Sequence, residues 1–140
     1  MKSKLFKVVI SILLLVSIVL IYAVKTYNKP HLDTKKSKTD VTITAQNFIN
    51  EYIQDEISAD KKYVEKIIQV KGEIYSISTL KGDSVITLKF PDLESSVICY
   101  LLPEENIKTL KLKKGQSITI KGICKGYLLD INMVKCVFVE

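Results

Sequence analysis

Few side chains in this sequence can do chemistry, and their types limit what that chemistry is. Its 140 residues contain three cysteines, Cys99, Cys124 and Cys136, and one histidine, His31. All 21 basic residues are lysine, and there are seven tyrosines. A serine or cysteine nucleophile needs a neighbouring base, and no histidine follows residue 31. There is no G-x-S-x-G turn, no recognisable pair of catalytic carboxylates and no glycine loop able to cradle a phosphate. Zinc ligands usually come in C-x-x-C pairs, and the three cysteines are isolated from one another. Glu51, Asp55, Glu56 and Asp60 lack the glycine-turned loop of a calcium site and read as a solvated helix face. The sequence therefore predicts a protein that is not an enzyme and holds no metal or cofactor.

What remains is binding. Tyr75, Tyr100 and Tyr127 are aromatics placed on strands or in a loop, and Lys71, Lys89 and Lys121 are cations close to them in sequence. Tyr75, Lys89, Tyr100 and Tyr127 are the candidate ligand-binding residues, because a stacking surface beside positive charge is what an extended ligand requires. By strand parity Cys99 shares a face with Val97 and Leu101, Cys124 with Ile118 and Ile120, and Cys136 with Val134 and Phe138. All three thiols therefore point inward. Parity leaves open buried free thiols, a Cys99–Cys136 disulfide and a Cys124–Cys136 disulfide. A tight loop centred on Tyr127 sets Cys124 opposite Asp130 and Cys136 opposite Ile118, too far apart to bridge, and a bulge near Val134 or Lys135 changes the register without closing that gap.

These residues must be held by strands. Lys66 to Ser78 alternates, with Ile68, Val70 and Ile74 on one face and Gln69, Lys71 and Glu73 on the other. Gly72 takes an inward place in mid-strand, which predicts a bend such as a small barrel needs. Gly82 and Asp83 mark a hairpin into a strand over 85–90, and Pro91 ends it. Strands follow at 97–102, 116–124 and 130–139, with a short helix begun by Pro103 and carrying Ile107 and Leu110 after the third. Before the first strand, Thr44 caps a helix to about Glu56 that presents Ala45, Phe48, Ile49, Tyr52 and Ile53, and Ser58 caps a short turn from Ala59 to Tyr63. Three strands, a helix and two strands is the order of the five-stranded OB-fold barrel. The predicted class is mainly β.

The first forty residues are different in kind. They hold eight lysines against two aspartates, the whole of the chain's +6, while residues 41–140 carry thirteen charges of each sign. The barrel is neutral and lacks arginine, the best reader of phosphates and bases, which disfavours nucleic acid as its partner. Residues 5–24 are apolar enough to cross a membrane, with no A-x-A cleavage pattern and no following lipid-bearing cysteine. Residues 1–25 are therefore expected to be a transmembrane signal anchor, 26–40 a flexible tether containing His31, and 41–140 the barrel. Lysines flank the apolar stretch on both sides, so the orientation, domain outside the cytoplasm, rests on its very short basic N-terminus.

A pattern spread over about Ala45 to Cys136 resembles the tRNA-anticodon-like OB-fold family of bacterial proteins, many of them membrane-attached. It comprises Asp55 and Glu56, Ala59, Lys62 and Tyr63, Val70 and Gly72, Cys99, Gly115 and Gln116, Lys121 and Gly122, Cys124, Gly126, Asp130 and Cys136. The resemblance implies an OB barrel in the bacterial envelope and implies no activity. The chain differs from the lipoprotein members in having no lipobox cysteine. Together these readings give a membrane-anchored, non-enzymatic binding module whose ligand or protein partner is unknown, with single-stranded nucleic acid as the alternative.

Overall fold

The structure is a computed structural model that describes residues 2–27 and 33–140. Two units result, one ending at Leu32 and the other running from Asp33 to Glu140. In the first, helix α1 (Lys2–Tyr27) contains Phe6–Val24, nineteen residues long and apolar enough to cross a membrane.

The second unit is built on β2 (Ile67–Leu80), the predicted long first strand. Its residues 67–73 pair antiparallel with β5 (Ser117–Leu128), and from Ile74 onward it pairs with β3 (Asp83–Leu88). β3 pairs with β4 (Val97–Leu101), β4 lies parallel to β6 (Asp130–Phe138), and β6 returns to β5. The sheet thus closes on itself through β2, β3, β4, β6 and β5, the expected OB-fold barrel. Its interior is filled by Ile68, Val70, Ile74, Ile86, Leu88, Ile120, Ile131 and Met133, each at most 1% exposed. Lys81 and Gly82, both at positive φ, form the two-residue turn that β-hairpins favour.

Gly72 stands where the partner of β2 changes. A Cβ there would lie 2.9 Å from the Cβ of Ala45 and 3.4 Å from that of Leu88. The empty position admits the start of helix α2 (Ala45–Gln54) as well as the bend. That helix is capped by Thr44 as expected, through Asn47 N at 3.3 Å. It stops at Gln54, and a separate helix α3 (Glu56–Tyr63) follows, capped by Asp55, whose Oδ1 accepts from Ser58 N. A carboxylate one turn earlier takes the role expected of Ser58 because it also binds the Ser58 hydroxyl at 2.6 Å. Ile53, expected in the buried stripe, faces solvent at the end of its helix.

Three further differences concern backbone hydrogen bonds that no side-chain pattern announces. An extra strand, β1 (Val41–Thr44), lies parallel to residues 68–71 of β2. The expected tether is folded from residue 33: Thr34 is fully buried, Asp40 Oδ2 accepts from Ile67 N, and Lys121 Nζ donates to the carbonyls of Lys35 and Ser37. Residues 26 and 27 belong to α1, and His31 lies outside the described residues. Finally, β5 runs on through Tyr127, and Leu129 alone makes the turn to β6, at φ 66°. Cys124 consequently faces Met133 rather than Asp130. The bulge considered near Lys135 is present, with Lys135 at φ 52° and shifts in register against both neighbouring strands.

Candidate binding groove

A β-bulge sets up the groove. Ile74 pairs with Leu88 and Ser76 with Thr87, so Tyr75 is the extra residue of β2. A bulge re-aims the side chain it carries, and Tyr75 is thrown outward, 49% exposed. The loop before β5 is pinned to the same place by Gly115 N to Ile74 O at 2.7 Å and Ile74 N to Gln116 O at 3.0 Å. This brings Lys114 Nζ to 4.6 Å from the Tyr75 ring centroid, while Lys89 Nζ, just beyond β3, lies at 5.4 Å. Both are within cation–π range.

The cluster borders a groove of about 390 Å³ lined by Lys71, Gly72, Glu73, Lys89, Phe90 and the first residues of α2. Glu73, Lys89 and Pro91 continue it into a second depression that includes Tyr75 and Lys114. The walls supply three lysines, one glutamate and one exposed aromatic ring, which suits an elongated ligand carrying negative charge and a flat or apolar face. Among the described residues, no group of three His, Cys, Asp or Glu could hold a metal ion.

Of the sequence-predicted binding residues, Tyr75 and Lys89 are brought together. Tyr100 is not with them: on β4 it pairs with Val85 of β3, whereas the bulge lies beside Leu88 and Thr87. Tyr127 belongs to a different cluster. Its ring stacks on Tyr52 at 5.4 Å, and its hydroxyl is 2.8 Å from that of Ser95. Lys121, a cation named from the sequence, holds the folded segment 33–37. Lys114 was invisible to sequence reasoning, because its approach to Tyr75 depends on the two backbone hydrogen bonds around Ile74.

The opposite chemistry prevails beneath α2 and α3. Phe48, Tyr52 and Tyr63 pack ring to ring, with centroids 4.9 to 6.1 Å apart. Burial raises the Tyr52 phenol above its ordinary range, helped by its contact with Cys124 Sγ at 3.5 Å. Tyr63 donates to Glu51 Oε2 at 2.7 Å, as does Lys62. These bonds, Lys62 first, hold the Glu51 carboxyl below its usual range. All three thiols are unbridged and fully buried. Burial raises the pKa of Cys124, and more strongly that of Cys136, which also lies against Cys99. Thiols so placed stay protonated and are poor nucleophiles. A Cβ on Gly122 would collide with Cys136 Sγ and come within 3.1 Å of the Val134 carbonyl, so this glycine makes room for the β6 bulge.

A known structure shares this architecture. A lipoprotein of Klebsiella pneumoniae, to which nucleic-acid binding is ascribed, superposes with a TM-score of 0.58 at 16% identity, over 70% of this chain and 91% of that one. The Stn1–Ten1 complex of S. pombe gives a TM-score of 0.42 at 12% identity, over 53% and 58% of the two chains. The asparaginyl-tRNA synthetase of Pyrococcus horikoshii gives 0.41 at 14%, over 56% of this chain and 20% of the enzyme. At 16% identity the likeness to the Klebsiella protein is one of fold. No curated protein matches the sequence. The model of one family, tRNA_anti-like, matches residues 1–137, and with the barrel that the residues form, the chain belongs to the tRNA_anti-like family.

Proposed function

We propose that the protein is a membrane-anchored, non-enzymatic binding module of the bacterial envelope, its barrel outside the cytoplasm, which takes an elongated anionic ligand along the Tyr75 groove. The observation that carries this reading is the bulge that lifts Tyr75 out of the sheet between Lys89 and Lys114. An exposed tyrosine with two lysines at its ring does little for the barrel, yet offers a ligand a stacking face and paired charges in one place. The nineteen-residue apolar segment supports the anchor, and the envelope setting is in keeping with the lipoprotein of like fold. Acidic polysaccharides and acidic peptides are the ligand classes that fit.

Single-stranded nucleic acid is the second reading. A stacking tyrosine within a lysine-lined groove is the minimum such a ligand needs, and it is the ligand ascribed to the Klebsiella lipoprotein. The neutral, arginine-free barrel weighs against it. Titration of the detergent-solubilised chain separates the two, using a single-stranded oligonucleotide and a polyuronate at low and high salt. Binding of the polyuronate that weakens with salt and is lost in Tyr75→Ala supports the first reading. Oligonucleotide binding with the same dependence establishes the second, and binding of both that ignores Tyr75 rejects the groove.

A further inference from the structure

Segment 33–40 is folded against the barrel, with Asp40 accepting from Ile67 N and Lys121 donating to the carbonyls of Lys35 and Ser37. The segment enters the barrel at one identifiable end. Lys35 shares a surface depression with Lys108, Lys121 and Phe138, next to the short helix α4 (Asn106–Thr109) and the end of β6. α4 is itself fastened there, with Asn106 receiving Ser84 N at 2.8 Å and donating to Gly82 O at 3.1 Å.

At this end, as at the Leu128–Leu129 turn, large apolar side chains are exposed. Ile107 is 74% exposed, Leu110 84% and Leu80, beside the Lys81–Gly82 turn, 51%. Lys81 and Lys111 alternate with them, and Lys35, Lys36 and Lys38 of the entering segment are exposed as well. The acidic groups there are Asp33, paired with Lys36 at 3.7 Å, the half-buried Asp83 that closes the Lys81–Gly82 turn, Glu105, buried and paired with Lys108 at 3.1 Å, the exposed Glu104, and the exposed Glu140, 3.8 Å from Lys108. Large apolar side chains interleaved with lysines are the composition of a surface that lies in the headgroup layer, where the apolar groups leave water and the ammonium groups stay among phosphates.

Resting on the anchor reading above, we propose that the α4 end of the barrel, through Leu80, Ile107 and Leu110 with the surrounding lysines, rests on an anionic bilayer surface. The test uses the full chain in vesicles of phosphatidylcholine with phosphatidylglycerol, with an environment-sensitive fluorophore on a single introduced thiol and a nitroxide lipid as quencher. The native thiols are buried and do not take the label. Three sites are compared: Leu110→Cys at the α4 end, Leu129→Cys at the opposite end of β6 and equally apolar, and Leu15→Cys within α1. The proposal expects the label at Leu110→Cys to be quenched about three-fold more than that at Leu129→Cys, the difference shrinking in phosphatidylcholine alone. Equal quenching at the two barrel sites overturns it while leaving the anchor intact, provided that Leu15→Cys is quenched by a nitroxide deep in the acyl chains. Failure of Leu15→Cys to be quenched overturns the anchor itself and this proposal with it. Quenching at Leu110→Cys that does not depend on phosphatidylglycerol overturns the role of the lysines.

Discussion

The same residue type does opposite work in two regions of this barrel. Under α2 and α3, Tyr52 and Tyr63 are at most 1% exposed, ring against ring with Phe48, and their hydroxyls meet Cys124 and Glu51. At the bulge of β2, Tyr75 is half exposed and touched by lysine ammonium groups. A buried phenol stabilises through the water it excludes and is tolerated because its hydroxyl finds a partner. An exposed phenol contributes little to folding and is left free for a ligand. Burial, not residue type, therefore separates the tyrosines that build the barrel from the one proposed as a binding residue, and Tyr127, half-buried on Tyr52, falls with the builders.

This contrast can be broken from either side. Phe48→Ala, which empties the centre of the packed cluster, should cost about 3–5 kcal/mol in denaturant unfolding. A loss below about 1 kcal/mol would show that α2 is not held by this cluster. Gly122→Ala should cost about 1–3 kcal/mol, because the new methyl meets Cys136 Sγ and a backbone carbonyl on the β6 bulge, neither of which can swing away. Unchanged stability there would mean that the bulge is absent in solution.

At the exposed cluster the sign should reverse, with function lost and folding kept. Tyr75→Ala should leave stability within about 0.5 kcal/mol while removing about 1–3 kcal/mol of ligand binding, roughly ten-fold or more in affinity. Lys89→Ala with Lys114→Ala should weaken binding at low salt and flatten its salt dependence. If Tyr75→Ala unfolds the barrel, Tyr75 belongs with the builders.

The smallest effect is a matter of pH. Glu51 titrates lower in the folded chain than when unfolded, so the stability it contributes is complete above its unfolded value, near 4.5, and is lost as pH falls through the folded value. The carboxylate is partly exposed, and Lys62 with it, so less than about 1 kcal/mol is at stake. Glu51→Gln should therefore be slightly less stable than the parent at pH 7 and indistinguishable from it in acid. A gap that persists in acid would assign the loss to packing rather than charge.

Much of the barrel was legible from residues 66–139 because strand parity depends on neighbours two residues apart. Ile68, Val70 and Ile74 face inward as read, and the glycine among them marks the bend. The cysteine register was misread by a few residues, since whether the last turn centres on Tyr127 or Leu129 depends on one residue's backbone conformation. Two members of the proposed groove, Tyr75 and Lys89, were named in advance. Tyr75 lies on β2 and Lys89 just beyond the adjoining β3, but Lys114 reaches them through backbone hydrogen bonds, which every residue can make and which leave no mark in composition.

The sequence by itself determined a five-stranded barrel of balanced charge preceded by an apolar helix, because alternation, turn residues and hydropathy are local properties. Tertiary structure alone decided that residues 33–40 fold onto the barrel, that Tyr75 stands out between two lysines while Tyr127 lies down on Tyr52, and that Cys136 sits against Cys99. Each of these depends on where two distant stretches meet, and that is set by strand register and bulges, in which a shift of one residue turns every following side chain to the other face.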